Sequence, residues 1–125
     1  MTAAQTLLDP IESTTPTAPS EITVTVFSKN QCPDCKALKT QLNLRGVPYR
    51  EINVQEDEAP REEFDGLTPF EHVVANYGRQ MPTVVVEDGE WGDSWSGSRM
   101  DKVVETITRF REAGLLIPED QRKKV

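Results

Sequence analysis

The first clear pattern along the chain is Ile22-Thr23-Val24-Thr25-Val26-Phe27, where β-branched and polar residues alternate before the run turns apolar. It predicts a strand entering a core. From Pro33 the apolar positions change period: Ala37, Leu38, Gln41, Leu42 and Leu44 recur at helical spacing until Gly46, a residue suited to a left-handed stop. Val47 to Val54 reads as a second strand, so the first three elements form a strand–helix–strand unit with parallel strands and a right-handed crossover. Between Glu56 and Tyr77, the positions of Phe64, Val73, Val74 and Tyr77 predict helix, but Asp65-Gly66-Leu67-Thr68-Pro69 interrupts it. A broken helix, or a helix with an inserted turn, is expected there. Thr83-Val84-Val85-Val86-Glu87 is strongly β-prone, and Asp88-Gly89 marks a hairpin into Glu90-Trp91 and on to Trp95. Met100, Val103, Val104, Ile107, Phe110 and Arg111 then outline a last helix from about Arg99 to Ala113, stopped by Gly114.

Composition frames these elements. The chain has 125 residues, 36% hydrophobic and 28% charged, as expected for one globular domain with a modest core. Residues 1–20, rich in Thr, Ala and Pro, are expected to be a flexible extension; residues 21–114 form the domain, and residues 115–125 a C-terminal tail, frayed from Pro118 on. No apolar run is long enough to cross a bilayer, and the start lacks the basic-then-apolar pattern of a secretory signal. With 14 Lys plus Arg against 21 Asp plus Glu, the formal charge of −7 disfavours nonspecific binding to nucleic acid or anionic lipid. A cytoplasmic monomer that meets protein partners is the expectation.

Only two cysteines occur, Cys32 and Cys35, bracketing Pro33-Asp34 at the junction of the first strand and first helix. A thiolate there is stabilised by unpaired backbone N–H groups, and the second thiol is close enough to close a disulfide. Reversible dithiol–disulfide exchange follows as the expected chemistry. Cys32, near the helix N-cap, is expected to be the exposed, attacking sulfur, and Cys35, in the first turn, the one that resolves the mixed disulfide. Lys29 and Lys36 favour the thiolate, whereas Asp34 opposes it while suiting the helix dipole. A moderately lowered Cys32 pKa is expected, with each unit worth about 1.4 kcal/mol. Half of a zinc site is the alternative, but a closed site takes four ligands and His72 is the only histidine. His72 itself reads as a surface or loop residue, not a catalytic base.

Two further segments complete the pattern: Gly78-Arg79-Gln80-Met81-Pro82-Thr83 before the third strand, and Trp95-Ser96-Gly97-Ser98-Arg99-Met100-Asp101 at the start of the last helix. In the second, Ser or Gly suits capping and Trp95 suits packing. Cys-x-x-Cys, Gly-Arg-Gln-Met-Pro-Thr and Trp-Ser-Gly-x-Arg-x-Asp stand in the order found in glutaredoxin-like proteins, and the chain resembles the NrdH-redoxins among them over about Ile22 to Phe110. Ser98 stands where an aromatic is usual in that family, and Met100 where a proline is common.

The resemblance implies an α/β thioredoxin fold, a mixed four-stranded sheet flanked by about three helices, with an N-terminal extension added. It implies a cis Pro82 that sets the Met81 backbone beside the cysteines. It makes Cys32 and Cys35 catalytic, has Met81 and Pro82 shape the substrate groove, and puts Trp95, Ser96, Gly97, Arg99 and Asp101 on the neighbouring surface and helix start; Lys29, Pro33, Asp34 and Arg79 are expected to join the partner-binding surface. No bound cofactor is implied beyond the redox-active disulfide. Electrons would come from NADPH through thioredoxin reductase and pass to a ribonucleotide reductase, supporting deoxyribonucleotide synthesis. A glutathione-dependent dithiol glutaredoxin is the second reading, although Ser96-Gly97-Ser98-Arg99 replaces the Gly-Gly-Cys-Asp type segment that helps many glutaredoxins hold glutathione. A zinc-binding or protein-binding adaptor is the third.

Overall fold

A computed structural model describes residues 22–89 and 91–122. The expected N-terminal extension lies outside the described residues. The chain runs β1 (Ile22–Ser28), α1 (Pro33–Arg45), β2 (Arg50–Asn53), a short 3-10 turn (Glu62–Phe64), α2 (Pro69–Asn76), β3 (Thr83–Asp88), β4 (Trp91–Ser96), α3 (Met100–Glu112) and a final 3-10 turn (Glu119–Gln121). The four strands form one mixed sheet in the order β2-β1-β3-β4. β1 is parallel to β2, with Val26 beside Glu51 and Ser28 beside Asn53; β3 is antiparallel to both β1 and β4. This is the thioredoxin fold.

Strand alternation sorts side chains to two cores. Val24 and Val26 of β1, Val84 and Val86 of β3 and Trp95 of β4 meet Leu38 and Leu42 of α1 and Val103, Ile107 and Phe110 of α3. On the other face Phe27, Ile52, Val54 and Met81 meet Phe64 and Val73. Burying each large side chain contributes about 1.5–3 kcal/mol, so the sheet is held from both sides.

Local chemistry explains the element ends. Gly46 stops α1 at φ +78, and its N–H reaches the Leu42 and Asn43 carbonyls. The inward face of α1 is Cys35, Leu38 and Leu42, whereas Ala37 and Leu44 of the sequence pattern face outward. The expected second strand shrinks to four residues, because Pro48 has no N–H to give a ladder. The interrupted helix takes the form of the 3-10 turn, a reversal at Asp65 and Gly66 with positive φ, and α2, whose start carries a reciprocal Thr68–Glu71 capping box. Ion pairs from Arg50 to Glu63, and from Arg61 to Glu63 and Asp57, tie this segment to β2.

The segment after Gly114 departs from the expected frayed tail. Leu115 and Leu116 pack on the α1–α3 core, and the Ile117 N–H bonds the Gly46 carbonyl at 2.8 Å. Arg122 donates to the carbonyls of Ile117 and Leu44, placing a cation at the negative end of α1. Leu115 to Arg122 is thus a strap across the C-terminal end of that helix. Among the described residues no helix is long and apolar enough to cross a membrane.

The strap makes Gly46 more sensitive than another left-handed glycine. A Cβ at Gly46 would lie 2.7 Å from the Ile117 carbonyl oxygen, whereas one at Gly66, with φ +85, would meet nothing within 4 Å. Gly66→Ala is expected to cost about 1–2 kcal/mol from the left-handed conformation alone. Gly46→Ala should cost about 1–3 kcal/mol more. Urea unfolding of both variants tests this, and equal losses would remove the strap contact as the cause.

Candidate active site

β1 delivers the chain to the C-terminal edge of the sheet at Ser28, and a three-residue turn with Gln31 at φ +55 redirects it into α1. Cys32 is the N-cap, in extended conformation, and Pro33 takes the first helical position, where its missing N–H costs nothing. Cys32 Sγ accepts the Cys35 N–H at 3.1 Å. A sulfur held this way is offered the positive end of the helix, so its anionic form is favoured. Cys32 and Cys35 are joined as a disulfide with Cα atoms 5.2 Å apart. Cys32 is partly exposed and Cys35 only 2% exposed.

The Met81–Pro82 peptide bond is cis, as the resemblance implied, and the Met81 carbonyl oxygen lies 3.9 Å from Cys32 Sγ. A Cys32 thiol can donate to that oxygen when reduced. The turn is braced by the Trp-Ser-Gly segment: the Gly97 N–H bonds the Pro82 carbonyl at 2.8 Å, and the Thr83 hydroxyl donates to the Gln80 carbonyl at 2.8 Å while lying 3.1 Å from the Ser96 hydroxyl. Gly97 is at φ +79, and a Cβ there would sit 2.7 Å from the Gln80 side-chain Nε2. Two motifs distant in sequence are therefore one packed unit beside the disulfide.

A groove of about 750 Å³ opens on one side of the cysteines, lined by Lys29, Pro33, Lys36, Lys39, Glu51 and Asn53 among others. On the other side Asp34 of α1 faces Ser98, Arg99 and Met100 across a narrow cleft. Arg99 is the N-cap position of α3 but gives no side-chain cap, so the expected Ser or Gly cap does not form. Its guanidinium instead grips Asp101, which holds that carboxyl below its ordinary value.

Of the residues assigned from sequence, Lys29, Cys32, Pro33 and Cys35 share the groove. Met81, Pro82, Ser96 and Gly97 form the braced turn, and Asp34 and Arg99 the cleft. Trp95 packs, as its residue type suggested, and does so away from the partner-binding surface: paired with Val84 on the α1–α3 face and 6% exposed, it is a core residue whose indole N–H has no acceptor among the described residues. Arg79 is exposed in the turn after α2. His72 is neither loop nor groove residue, since its ring lies in α2 stacked on Phe64 with centroids 4.1 Å apart. Lys39 and Glu51 line the groove as well, and the sequence reading missed them, because the four-residue β2 carries too little periodicity to show that Glu51 faces α1. Among the described residues no group of three or more Cys, His, Asp or Glu could hold a metal ion.

The Thr83 hydroxyl should matter beyond its volume. Thr83→Val keeps the shape of this fully buried residue but leaves the Gln80 carbonyl without its donor. A stability loss of about 1–3 kcal/mol is expected, together with a raised KM for a disulfide substrate, and Thr83→Ser should restore both. Val and Ser variants with the same KM would show that the hydroxyl does not brace the turn.

Comparison with known proteins agrees with this geometry. The glutaredoxin family model matches residues 24–91. The glutaredoxin-like protein NrdH of Escherichia coli K12 is 32% identical over 80 residues, covering 64% of this chain and 83% of that protein. The solved NrdH-redoxin of Escherichia coli is 31% identical, covering 66% of this chain and 92% of that one, with a TM-score of 0.47. A buckwheat glutaredoxin solved with glutathione is 22% identical and covers 80% of this chain and 86% of that one, with a TM-score of 0.54; it supports the fold. The cysteine pair at the helix start, and the identity spanning most of the NrdH sequence, lead to one assignment: this chain is a thiol–disulfide oxidoreductase that belongs to the glutaredoxin family, among its NrdH-like members.

Proposed function

We propose that the chain is an NrdH-type electron carrier: it is reduced by thioredoxin reductase, with NADPH as the ultimate source, and it reduces a ribonucleotide reductase in the cytoplasm. The observation that carries this reading is the 32% identity to NrdH over 83% of that protein. The Escherichia coli NrdH-redoxin is described as having a thioredoxin-like activity profile, which favours a reductase over glutathione as the electron source here. The segment Ser96-Gly97-Ser98-Arg99 points the same way, since it lacks the Gly-Gly-Cys-Asp type sequence associated with holding glutathione.

In this reading the partly exposed Cys32 attacks the partner disulfide, and the buried Cys35 attacks the resulting mixed disulfide. The attack forms the Cys32–Cys35 bond and releases the reduced partner, so each turnover moves two electrons. The Met81 carbonyl and Pro82 form one wall for an extended partner segment. Lys29, Pro33 and Asp34 border the attack site, and Ser96, Gly97 and Arg99 hold or border the opposite rim. Trp95 supports that rim from the core, and Arg79 lies at its exposed edge.

Oxidation of NADPH with a disulfide substrate tests the electron source. Thioredoxin reductase should sustain turnover, and glutathione with glutathione reductase should not. Turnover through glutathione alone would replace the proposal with a glutathione-dependent glutaredoxin. A Cys35→Ser variant should accumulate mixed disulfides through Cys32, and mass spectrometry of the trapped species identifies the partner. Accumulation only in Cys32→Ser would reverse the two roles.

A further inference from the structure

β2 is the edge of the sheet, and its outer backbone has no strand beside it among the described residues. Along that edge Asn53 and Glu51 line the groove at the cysteines, while Glu51, Tyr49 and Pro48 line a second cavity of about 540 Å³. α1 follows the same course. Lys36 and Lys39 border the groove, and Asn43 and Gly46 border the cavity, at the i, i+3, i+7 and i+10 positions of one helix side. Glu51 belongs to both, so the two form one channel from the disulfide to the far end of α1. The strap closes it there: Ile117, whose N–H holds the Gly46 carbonyl, and Gln121 form the end wall beside Leu42 and Tyr49.

Charge and shape define what fits the channel. Lys29 and Lys36, both exposed at its mouth, have no acidic partner among the described residues, in a chain whose formal charge is −7. Its far end is mainly apolar, through Leu42, Pro48, Tyr49 and Ile117. Free backbone on an edge strand takes an extended chain. The 13 residues of α1 rise about 20 Å, the reach of about six extended residues. We propose that this channel docks the extended segment that flanks the reactive disulfide of a protein partner. A carboxylate of that segment lies opposite Lys36, about two positions from the reacting cysteine, and an apolar side chain about six positions away fills the strap-walled cavity. The inference rests on the chain reducing protein disulfides through Cys32. The strap lies beyond residues 24–91, which the glutaredoxin model matches, so the cavity wall is an addition to that matched region.

Stopped-flow reduction of fluorescent peptide disulfides by the reduced protein gives the half-saturating concentration of each peptide. The reference peptide carries Asp two positions and Leu six positions from its cysteine, in one version before it and in another after it. At least one version is expected to half-saturate at a concentration about tenfold below that of the same peptide with Gly in place of Leu, the scale of one buried Leu side chain. Lys in place of Asp should raise the concentration further, and that difference should shrink with added salt. Asn43→Trp and Gln121→Trp fill the cavity from different walls, and each should abolish the preference for Leu while leaving reduction of bis(2-hydroxyethyl) disulfide unchanged. Lys36→Glu should invert the preference for Asp over Lys. Equal half-saturation with Leu or Gly in both versions, or a preference for Leu that survives both Trp variants, would overturn the docking site. So would sedimentation as a dimer that Asn43→Trp dissociates, because a second copy of the chain would then occupy the channel. Reduction of the small disulfide but of no peptide would instead overturn the reading of the chain as a reductant of protein disulfides.

Discussion

A helix has free N–H groups only at its start, and the site depends on a sulfur occupying that position. Cys32 accepts the Cys35 N–H from the N-cap of α1, and α1 can begin there only because β1 ends at Ser28 on the edge of the sheet. The crossover that makes β2 parallel to β1 carries α1 back over the sheet, with Leu38 and Leu42 fixing its inward face. The direction of the helix, and with it the polarity offered to Cys32, is therefore set by packing far from the sulfur. The same geometry divides the pair, leaving Cys32 partly open and Cys35 closed against the core.

The second requirement is a rigid wall opposite the sulfur. Met81 supplies a carbonyl at 3.9 Å, but a turn held by its own backbone would drift. Gly97, Ser96 and Thr83 join that turn to the end of β4, and because β4 pairs with β3 the brace belongs to the sheet. Wall and helix start are thus anchored to one β-structure. A disulfide substrate meets two surfaces whose spacing is set before it arrives.

Much of this was legible before the structure. The Cys-x-x-Cys junction was readable because Pro33 and Gly46 punctuate α1, and the strand periods of Ile22 to Phe27 and Thr83 to Glu87 survive burial on both faces. Trp95 was harder, since nearness in sequence to Ser96 and Gly97 says nothing about which face of β4 it occupies. Pairing with Val84 decides that, and sends it to the core. Glu51 was illegible for a related reason: a short edge strand carries little periodicity, so a carboxylate turned toward α1 looks the same as one turned to solvent. The strap was hidden because Gly114 and Pro118 bracket Leu115-Leu116-Ile117, and the docking partner, the end of α1, lies more than seventy positions earlier.

That strap also gives the molecule a usable pole. Arg122 donates to the Leu44 carbonyl in the last turn of α1, and the cysteines sit at its first turn, so the 13 residues of the helix separate them by about 20 Å. A fluorophore, surface linker or fusion partner joined beyond Arg122 would emerge at the opposite end of α1 from the disulfide. Immobilised from that side, the protein would present both the groove and the Met81 wall to whatever flows over it.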